Sequence, residues 1–397
     1  MYSFAFFDEI IDRRGTSSVK YDALNEVFGT TDVIPMWIAD MDFRVAKEIS
    51  DAIKARADHE IYAYTLQPKS FFQSAVDWVQ RRHRWTIQPE WLSVSPGVVP
   101  ALNFSVLAFT DPGDKVIIQT PVYPPFYAAI RDHGRELVCN PLVKRNNNYE
   151  MDFDHLENVI DRKTKMLILC HPHNPAGRIW TRQELEQMAE ICVRHRIIVV
   201  CDLIHSDFML RHEPCPSFTE ISPEIAALTV SLVAPSKTFN IAGLNTSLAF
   251  TENPELKAKF EKIRDGLQIG LGNIFGTVAL EVAYKYGDSW LDGLLNYLNA
   301  NFNIIDEWIT RAPYVQYIRS EGTYLAWLDF SPSGLSGDML YDTIIRKAKV
   351  GLNRGREFGV EGESFMRMNL ACPASIIRQA IHQIDESFKF DVSSHVS

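Results

Sequence analysis

The chain has 397 residues, of which 46% are hydrophobic and 23% are charged, and its formal net charge is −10 at pH 7. This composition is that of a globular protein and excludes the disordered and fibrous classes. The acidic balance, without a basic stripe, argues against nucleic acid or an anionic membrane as a partner.

Two further features bear on where the protein works. No apolar run approaches the roughly 20 residues of a membrane span, and the N-terminal stretch MYSFAFFDEIIDRRG lacks the basic start of a signal peptide. The six cysteines form no CxxC pair, so the sequence indicates neither a zinc knuckle nor a disulfide framework. We therefore expect a cytoplasmic protein.

Short β-branched runs alternate with helical patterns between about residues 90 and 250. Continuous apolar runs of this kind are typical of strands that are buried on both faces of a mainly parallel sheet. Between two of them, Thr181 and Glu184 form a capping box at the start of a helical pattern. This strand, helix, strand unit predicts that ligands bind at the carboxyl ends of the strands. The predicted strands are VIIQ (116–119), MLILC (166–170), IIVVC (197–201) and TVSLV (229–233).

The pattern of apolar and polar residues changes at about residue 286. Longer helical patterns begin there with SWLDGLLNYLNANFNIIDEWI, and a predicted strand segment, EGTYLAWLDF (321–330), precedes a helix predicted around Gly337 to Lys349. These elements predict a second, smaller α+β domain.

A turn that suits a phosphate lies in SVSPGVVPAL (93–102). Pro100 near a helix start has the fixed φ that this position favours. The backbone N–H groups of Gly97, Val98 and Val99 would then point at a phosphate. An ordinary strand-to-helix turn has the same appearance, so this alternative stays open.

Two polar clusters follow predicted strands. In HPHNPAG (171–177), Asn174 precedes a proline, which predicts a turn that aims an amide side chain, although a plain loop would look similar. In CDLIHSD (201–207), Asp202 and His205 suit a salt-linked pair, a metal site completed by Asp207, or an acid that protonates a heteroaromatic nitrogen. No HExxH pattern supports the metal alternative.

Lys237 lies in VAPSKTFNIAG (233–243), directly after the last predicted strand. It is either a surface lysine on a loop or a lysine held in a pocket for its nitrogen, where burial would shift its pKa. The order of the segments favours the pocket. A phosphate turn, the aromatic segment TPVYPPF (120–126), an asparagine turn, a strand-end aspartate and a lysine are what a pyridoxal phosphate (PLP) site requires.

Over nearly its whole length the sequence resembles the fold-type I, aspartate-aminotransferase-like enzymes, and within them the MalY/PatB-type cystathionine β-lyases. The motifs that carry this resemblance are RRGTSSVKYD (13–22), MWIADMDF (36–43), YAYT (62–65), PGVVPAL (96–102), TPVYPPF, HNPAGRIW (173–180), APSKTFNIAG (234–243), EGTYLAWLDF and LNRGREFG (352–359).

The resemblance implies an α/β fold in which a large domain with a mainly parallel seven-stranded sheet carries a smaller α+β domain. Residues 1–45 would form an N-terminal segment that joins the small domain. Residues 46–287 would form the large PLP-binding domain, and residues 288–397 the C-terminal small domain. The enzyme would be a homodimer with active sites at the subunit interface.

The resemblance also implies roles for individual residues. Lys237 would bind the cofactor covalently and later remove the substrate Cα proton. Asp202 would pair with the pyridine nitrogen, Asn174 and His205 would approach the ring's O3′ oxygen, and Tyr123 would stack on the ring. The phosphate would be held by Gly97, Val98, Val99 and Ser236, with Tyr64 from the neighbouring subunit.

On the substrate side, the resemblance assigns Arg367 to the α-carboxylate, and Tyr123 and Asn174 would also contact the substrate. Ala39 would contribute a backbone contact. Three positions depart from the pattern of the family. Leu203 replaces a common glutamate, Ala234 replaces a hydroxyl residue, and Asn245 stands where many aminotransferases have a phosphate-binding arginine, so charge compensation at the phosphate is lighter.

The reaction itself stays open between two outcomes that both begin at Lys237. Loss of a Cβ thiolate from L-cystathionine, cysteine or a related S-conjugate would give a thiol, pyruvate and ammonia. Transamination of an L-amino acid is the alternative, and the resemblance favours the lyase. Two other classes are a regulatory protein that binds PLP or a partner, and a metal hydrolase built on Asp202, His205 and Asp207.

Overall fold

A computed structural model describes residues 2–145, 148–211 and 213–393. Its main sheet has seven strands: β1 (Leu92–Ser95), β2 (Lys115–Ile118), β3 (Glu136–Cys139), β4 (Thr164–Cys170), β5 (Ile198–Asp202), β6 (Thr229–Val233) and β7 (Ser247–Phe250). Their order is β1-β7-β6-β5-β4-β2-β3; β7 runs opposite to the other six strands, so it pairs antiparallel with β1 and β6, and the remaining pairs are parallel. The predicted mainly parallel seven-stranded sheet is confirmed, and its predicted strands are β2, β4, β5 and β6.

Helices cover both faces of this sheet, which explains why most residues of its central strands β4, β5 and β6 are buried. Successive strand residues point to opposite faces, so Ile117 and Leu167 join one buried core, while Val116 and Ile168 join a second core. The helices of seven or more residues are α1 (Lys47–Ala57), α2 (Lys69–His83), α3 (Val98–Phe109), α4 (Pro125–Arg131), α5 (Phe153–Val159), α6 (Arg182–His195), α7 (Pro254–Gly266), α8 (Ile274–Tyr286), α9 (Asp288–Ile309) and α10 (Ala374–Ser393).

Shorter helical segments connect these elements. The predicted capping box is present at the start of α6, where Thr181 and Glu184 satisfy each other's backbone N–H groups. The helix predicted around Gly337 to Lys349 is instead a short α-helix followed by a π-helix. The short segments are Phe4–Phe7, Val19–Asp22, Leu24–Phe28, Pro223–Ala226, Pro235–Thr238, Gly337–Tyr341 and Asp342–Lys347.

A second sheet packs against α9 and α10. Its strands are β8 (Gln316–Tyr317), β9 (Leu325–Asp329), β10 (Asn353–Arg354) and β11 (Phe365–Asn369), paired antiparallel in the order β8-β9-β11-β10. Two strand pairs stand apart: Ile34–Pro35 runs parallel to Val350–Gly351, and Val143–Arg145 runs antiparallel to Asn148–Glu150. The first pair joins the N-terminal segment to the C-terminal part of the chain; the boundaries at 45 and 287 stay a prediction.

The carboxyl ends of β1, β4, β5 and β6 meet at one edge of the main sheet. In the register of the parallel strands, Cys170 lies beside Asp202, and Asp202 lies beside Leu232. The loops after these strands therefore bring their polar residues together, as expected for a parallel sheet. Within the described ranges, no helix is both long and apolar enough to cross a membrane.

Candidate active site

A cavity of about 380 Å³ opens at this edge of the sheet. Tyr64 lies outside it and is 96% exposed, so this chain alone does not bring Tyr64 to the cavity. Every other residue that the sequence predicts for the site lines the cavity: Ala39, Gly97, Val98, Val99, Tyr123, Asn174, Asp202, His205, Ser236, Lys237 and Arg367.

Lys237 lies on the short helix Pro235–Thr238, directly after β6. Its Nζ donates a hydrogen bond to the carbonyl oxygen of Ala39 at 2.6 Å. Burial, with a smaller contribution from the positive charge of Arg367, lowers the pKa of Lys237 to about 8. Part of the amine is then uncharged near neutral pH, as a nucleophile or a general base requires.

Asp202 ends β5 and is 3% exposed. One of its carboxylate oxygens accepts a hydrogen bond from the Ile204 N–H at 3.0 Å, and no cation of the described residues lies within ion-pair distance. Burial raises the pKa of Asp202 to about 7, against opposing contributions from this hydrogen bond and from Lys237. A buried carboxylate without a positive partner is costly, so the site suits a ligand that brings a protonated nitrogen.

Arg367 approaches the cavity from β11. Its Nη1 donates to Asn174 Oδ1 at 3.1 Å, and its Nη2 donates to Asn353 Oδ1 at 2.6 Å and to the Trp37 carbonyl at 3.0 Å. The buried Nε has no hydrogen-bond partner among the described residues, and burial lowers the pKa of the guanidinium to about 10. Since no carboxylate among the described residues pairs with it, this cation is available to a carboxylate ligand.

His205 and Tyr123 complete the walls of the cavity. His205 is 2% exposed, and within the part of the chain that the structure describes its Nδ1 has no hydrogen-bond partner. Burial, and then the charges of Lys237 and Arg367, lower the pKa of His205 to about 3, so the ring is neutral. Burial raises the pKa of Tyr123. Both side chains therefore present uncharged polar rings to a ligand.

The N-terminus of α3 forms the opposite end of the cavity. The first N–H groups of a helix have no partner within the helix, and its dipole favours an anion there. Gly97 precedes α3, and Val98 and Val99 open it. Among the described residues that line the cavity, the only cationic side chains are Lys237 and Arg367, so an anion at this end would have backbone N–H groups and the Ser236 hydroxyl as its donors.

The structure separates the three residues of the metal alternative. Asp207 turns away from the cavity and accepts hydrogen bonds from His83 Nε2 at 2.8 Å, Trp78 Nε1 at 3.1 Å and Thr238 Oγ1 at 2.6 Å. Within the described part of the chain, no three His, Cys, Asp or Glu residues are grouped so as to hold a metal ion. Asp202, His205 and Asp207 thus do not form one binding site.

A family model for aminotransferases of class I and II matches residues 31–384. The chain belongs to this family. It is 42% identical over 380 residues to cystathionine beta-lyase PatB of Bacillus subtilis (strain 168), which is 95% of this chain and 98% of PatB. Within the family, the chain is therefore of the MalY/PatB type.

Two further relatives agree with this placement. Protein MalY of Escherichia coli (strain K12) is 32% identical over 381 residues, which is 94% of this chain and 96% of MalY. The crystal structure of cystalysin from Treponema denticola, which contains a pyridoxal 5′-phosphate cofactor, has a TM-score of 0.92 and 33% sequence identity, covering 96% of this chain and 98% of cystalysin. The aminotransferase-like fold is therefore established.

Some residues of the cavity in this family member carry no role in the sequence prediction. Asn353 holds the guanidinium of Arg367, and Trp37 accepts from it through a backbone carbonyl. Both lie within quoted motifs, LNRGREFG and MWIADMDF. These motifs carry the family resemblance, but the contact of Asn353 with Arg367 depends on the pairing of β10 with β11, which the sequence does not specify.

The raised pKa of Asp202 gives a pH dependence that can be measured. In the cofactor-free protein, the unfolded state releases the Asp202 proton near the ordinary value of 3.8, whereas the folded state keeps it until about pH 7. The contribution of Asp202 to the free energy of unfolding should therefore be full below about pH 4 and be lost as the pH rises to 7.

Buried histidines such as His171 and His173 also change the pH dependence of stability in this range. The test therefore compares wild type with a variant that lacks only the Asp202 carboxylate. We expect the free energy of unfolding of wild type minus that of Asp202→Asn, from urea titrations, to fall between pH 4 and 7. The exposed substitution Asp132→Asn should leave the corresponding difference flat. A flat difference for Asp202→Asn would show that the carboxylate ionises as freely in the folded protein as in the unfolded chain.

Proposed function

We propose that the chain is a PLP-dependent carbon–sulfur β-lyase that cleaves L-cystathionine and related cysteine S-conjugates, including cysteine, to a thiol, pyruvate and ammonia. The observation that carries this proposal is the meeting of Lys237, Asp202 and Arg367 in one cavity, each of them a charged or titratable group without an opposite charge bound to it. The name of the relative PatB, a cystathionine beta-lyase, supports a lyase rather than an aminotransferase.

The residues present fit PLP. The buried carboxylate of Asp202 lacks the cation that the pyridine nitrogen would provide, and the orphaned Nδ1 of His205 lies in the same cavity. Asn174 and His205 would hold the O3′ oxygen, and Tyr123 would stack on the ring. The phosphate would rest on the donors at the start of α3 and on a hydroxyl: Gly97, Val98, Val99 and Ser236.

When bound, PLP withdraws electrons from the substrate Cα and makes its C–H bond acidic. The side chain of Asp202 favours this by placing a negative charge beside a ring nitrogen that must stay protonated. Lys237 receives the Cα proton at Nζ, since burial keeps part of this amine uncharged. The thiolate then leaves from Cβ, and the aminoacrylate that is released reacts with water to give pyruvate and ammonia.

Arg367 orients the substrate for this proton transfer. Its guanidinium is held on one side by Asn174 and on the other by Asn353, so its direction is fixed before a substrate arrives. A bidentate bond to the α-carboxylate would place the Cα–H bond toward Lys237. Ala39, whose carbonyl accepts from Lys237 Nζ, lines the same side of the cavity.

The proposed reaction is tested by the requirement for an amino acceptor. We expect the purified protein, loaded with PLP, to release pyruvate and thiol from L-cystathionine without any added keto acid. Parallel assays with cysteine and cystine rank the substrates. Pyruvate that forms only after an amino acceptor is supplied would replace the lyase proposal by the aminotransferase.

We also propose that the protein is a homodimer with active sites at the subunit interface. Residues 61–67 and 267–271 expose large apolar side chains that a soluble monomer rarely groups together. A hydrogen bond from Gln67 Nε2 to the Leu271 carbonyl at 2.6 Å joins the two segments. Within this patch Tyr64 is 96% exposed, which suits a residue that serves the neighbouring subunit. The exposed residues are Ile61, Tyr62, Tyr64, Leu66, Leu267, Ile269 and Leu271.

A shared active site predicts recovery of activity in mixed dimers. Tyr64→Phe weakens one contact to the phosphate and Lys237→Ala removes the base, so each homodimer should be impaired. After subunit exchange, a hybrid dimer has one site with both native residues, and pyruvate formation should rise above the mean of the two separate proteins. Exchange confirmed by native mass spectrometry without such a rise would contradict the role of Tyr64 across the interface.

Two further assignments accompany this function. We propose a cytoplasmic location, which agrees with the acidic composition and with six cysteines that are all free thiols. We also propose the division into an N-terminal segment (1–45), a large domain (46–287) and a small domain (288–397). The pairing of Ile34–Pro35 with Val350–Gly351 supports the assignment of the N-terminal segment to the small domain.

A further inference from the structure

The carbonyl oxygen of Ala39 is a fixed acceptor for the amine of Lys237. It accepts from Lys237 Nζ at 2.6 Å and from the Tyr324 hydroxyl at 2.9 Å. Ala39 belongs to residues 38–43, an irregular stretch between the short strand Ile34–Pro35 and α1. A loop carbonyl holds a constant position only if other bonds restrain the loop.

Asn240 restrains this loop from the side of the lysine. It lies three residues after Lys237 with φ of 57°, in the left-handed region that asparagine tolerates. Its Oδ1 accepts from the Met41 N–H at 3.0 Å, and its Nδ2 donates to the carbonyls of Met41 at 2.9 Å and Phe43 at 3.0 Å. One side chain thus satisfies three backbone groups of the loop.

Asn369 restrains the loop from the small sheet. It is 1% exposed at the end of β11, and its Nδ2 donates to the carbonyls of Ile38 at 2.7 Å and Asp40 at 2.6 Å. These are the carbonyls of the residues that precede and follow Ala39. The Oδ1 of Asn369 accepts from the Ala371 N–H at 2.8 Å, so the orientation of the amide is fixed.

We propose that Asn240 and Asn369 are positioning residues for Lys237. They hold the Ala39 carbonyl in place to accept a hydrogen bond from the lysine amine whenever that amine is not covalently bound to the cofactor. The contacts form a closed path from Lys237 along three residues to Asn240, across to Met41, back to Ala39 and then to the amine. This inference rests on the proposed PLP chemistry, in which the amine must both capture the cofactor and return as a base.

A positioning role of the two asparagines affects the titration and the reactivity of the Lys237 amine, whereas a purely structural role does not. A carbonyl that accepts from an ammonium stabilises the charged form, so a displaced Ala39 carbonyl lowers the pKa of Lys237 below its wild-type value. An amine that is no longer held also meets the cofactor aldehyde in fewer productive orientations. Capture of PLP should therefore become slower and should titrate at lower pH.

The test measures capture in cofactor-free protein rather than turnover. Apoprotein is mixed with PLP at each pH and reduced with borohydride at set times, and modification of the Lys237 peptide is quantified by mass spectrometry. For Asn240→Gly, which keeps the left-handed backbone, we expect at least about five-fold slower capture at the high-pH plateau and a midpoint about half a pH unit or more below wild type. The control Arg196→Gly replaces an exposed residue with φ of 53° far from the cavity and should match wild type.

Asn369→Ala is a second, independent variant, for which we expect the same two changes. If only one of the two variants folds, that variant decides the test. Wild-type rates and midpoints in the folded variants, even with a lower melting temperature, would reduce both asparagines to structural residues and overturn the proposal. Failure of wild-type protein itself to capture PLP at Lys237 is a different result, because it would overturn the proposed function instead.

Discussion

Replacing Lys237 with alanine should abolish covalent binding of PLP and lower pyruvate formation from L-cystathionine by about 10³-fold or more. The reason is that one nitrogen serves two steps, as the covalent anchor and as the base that takes the Cα proton. Positioned general bases alone contribute about 10² to 10⁴-fold. The lowered pKa of Lys237, about 8, gives this lysine an uncharged amine that an exposed lysine lacks at neutral pH.

Two measurements separate these roles. Borohydride reduction followed by mass spectrometry should find PLP on the Lys237 peptide of wild type and none in Lys237→Ala. Added methylamine, which is small enough for the space that the side chain leaves, should restore part of the pyruvate rate. Lys262→Ala changes an exposed lysine and should behave as wild type. Undiminished pyruvate formation by Lys237→Ala would remove this lysine from the mechanism.

The edge of the main sheet could be predicted because its signals are local. Apolar runs mark β4, β5 and β6, and the polar residues that directly follow them in the chain must share one edge once the strands are parallel. Asp202 and Lys237 therefore meet in the cavity as the sequence predicts. Their exact partners follow from the fold: among the described residues, no basic side chain comes within ion-pair distance of Asp202, and its carboxylate accepts instead from the Ile204 N–H.

Other features needed the tertiary structure. Asn240 contacts Met41, which lies 199 positions earlier in the chain, and no periodicity or spacing connects two such residues. The same holds for the pairing of Ile34–Pro35 with Val350–Gly351. The segment from Gly337 has a helical pattern, yet it forms a short α-helix and a π-helix, because packing against α10 and the strand Val350–Gly351 overrides the local pattern.

Replacing Arg367 with alanine should raise the KM for L-cystathionine by about 100-fold. Hydrogen bonds to a charged group contribute about 1.5–3 kcal/mol each, and loss of a bidentate pair leaves the α-carboxylate in a buried cavity without a counter-charge. Arg367→Lys keeps the charge but loses the planar fork, so its KM should lie between those of wild type and Arg367→Ala.

The neighbouring arginine on β10 provides the control for this prediction. Arg354 forms an ion pair with Asp338 and stacks on the Tyr341 ring with its guanidinium carbon 3.9 Å from the ring centre, and it does not line the cavity. Arg354→Ala removes an equal charge close to the site and should change KM less than about three-fold, since exposed ion pairs contribute little. Equal effects of the two substitutions would mean that Arg367 acts through the general field of positive charge and not by direct contact with the carboxylate. A KM for Arg367→Ala that stays at the wild-type value would remove Arg367 from substrate binding altogether.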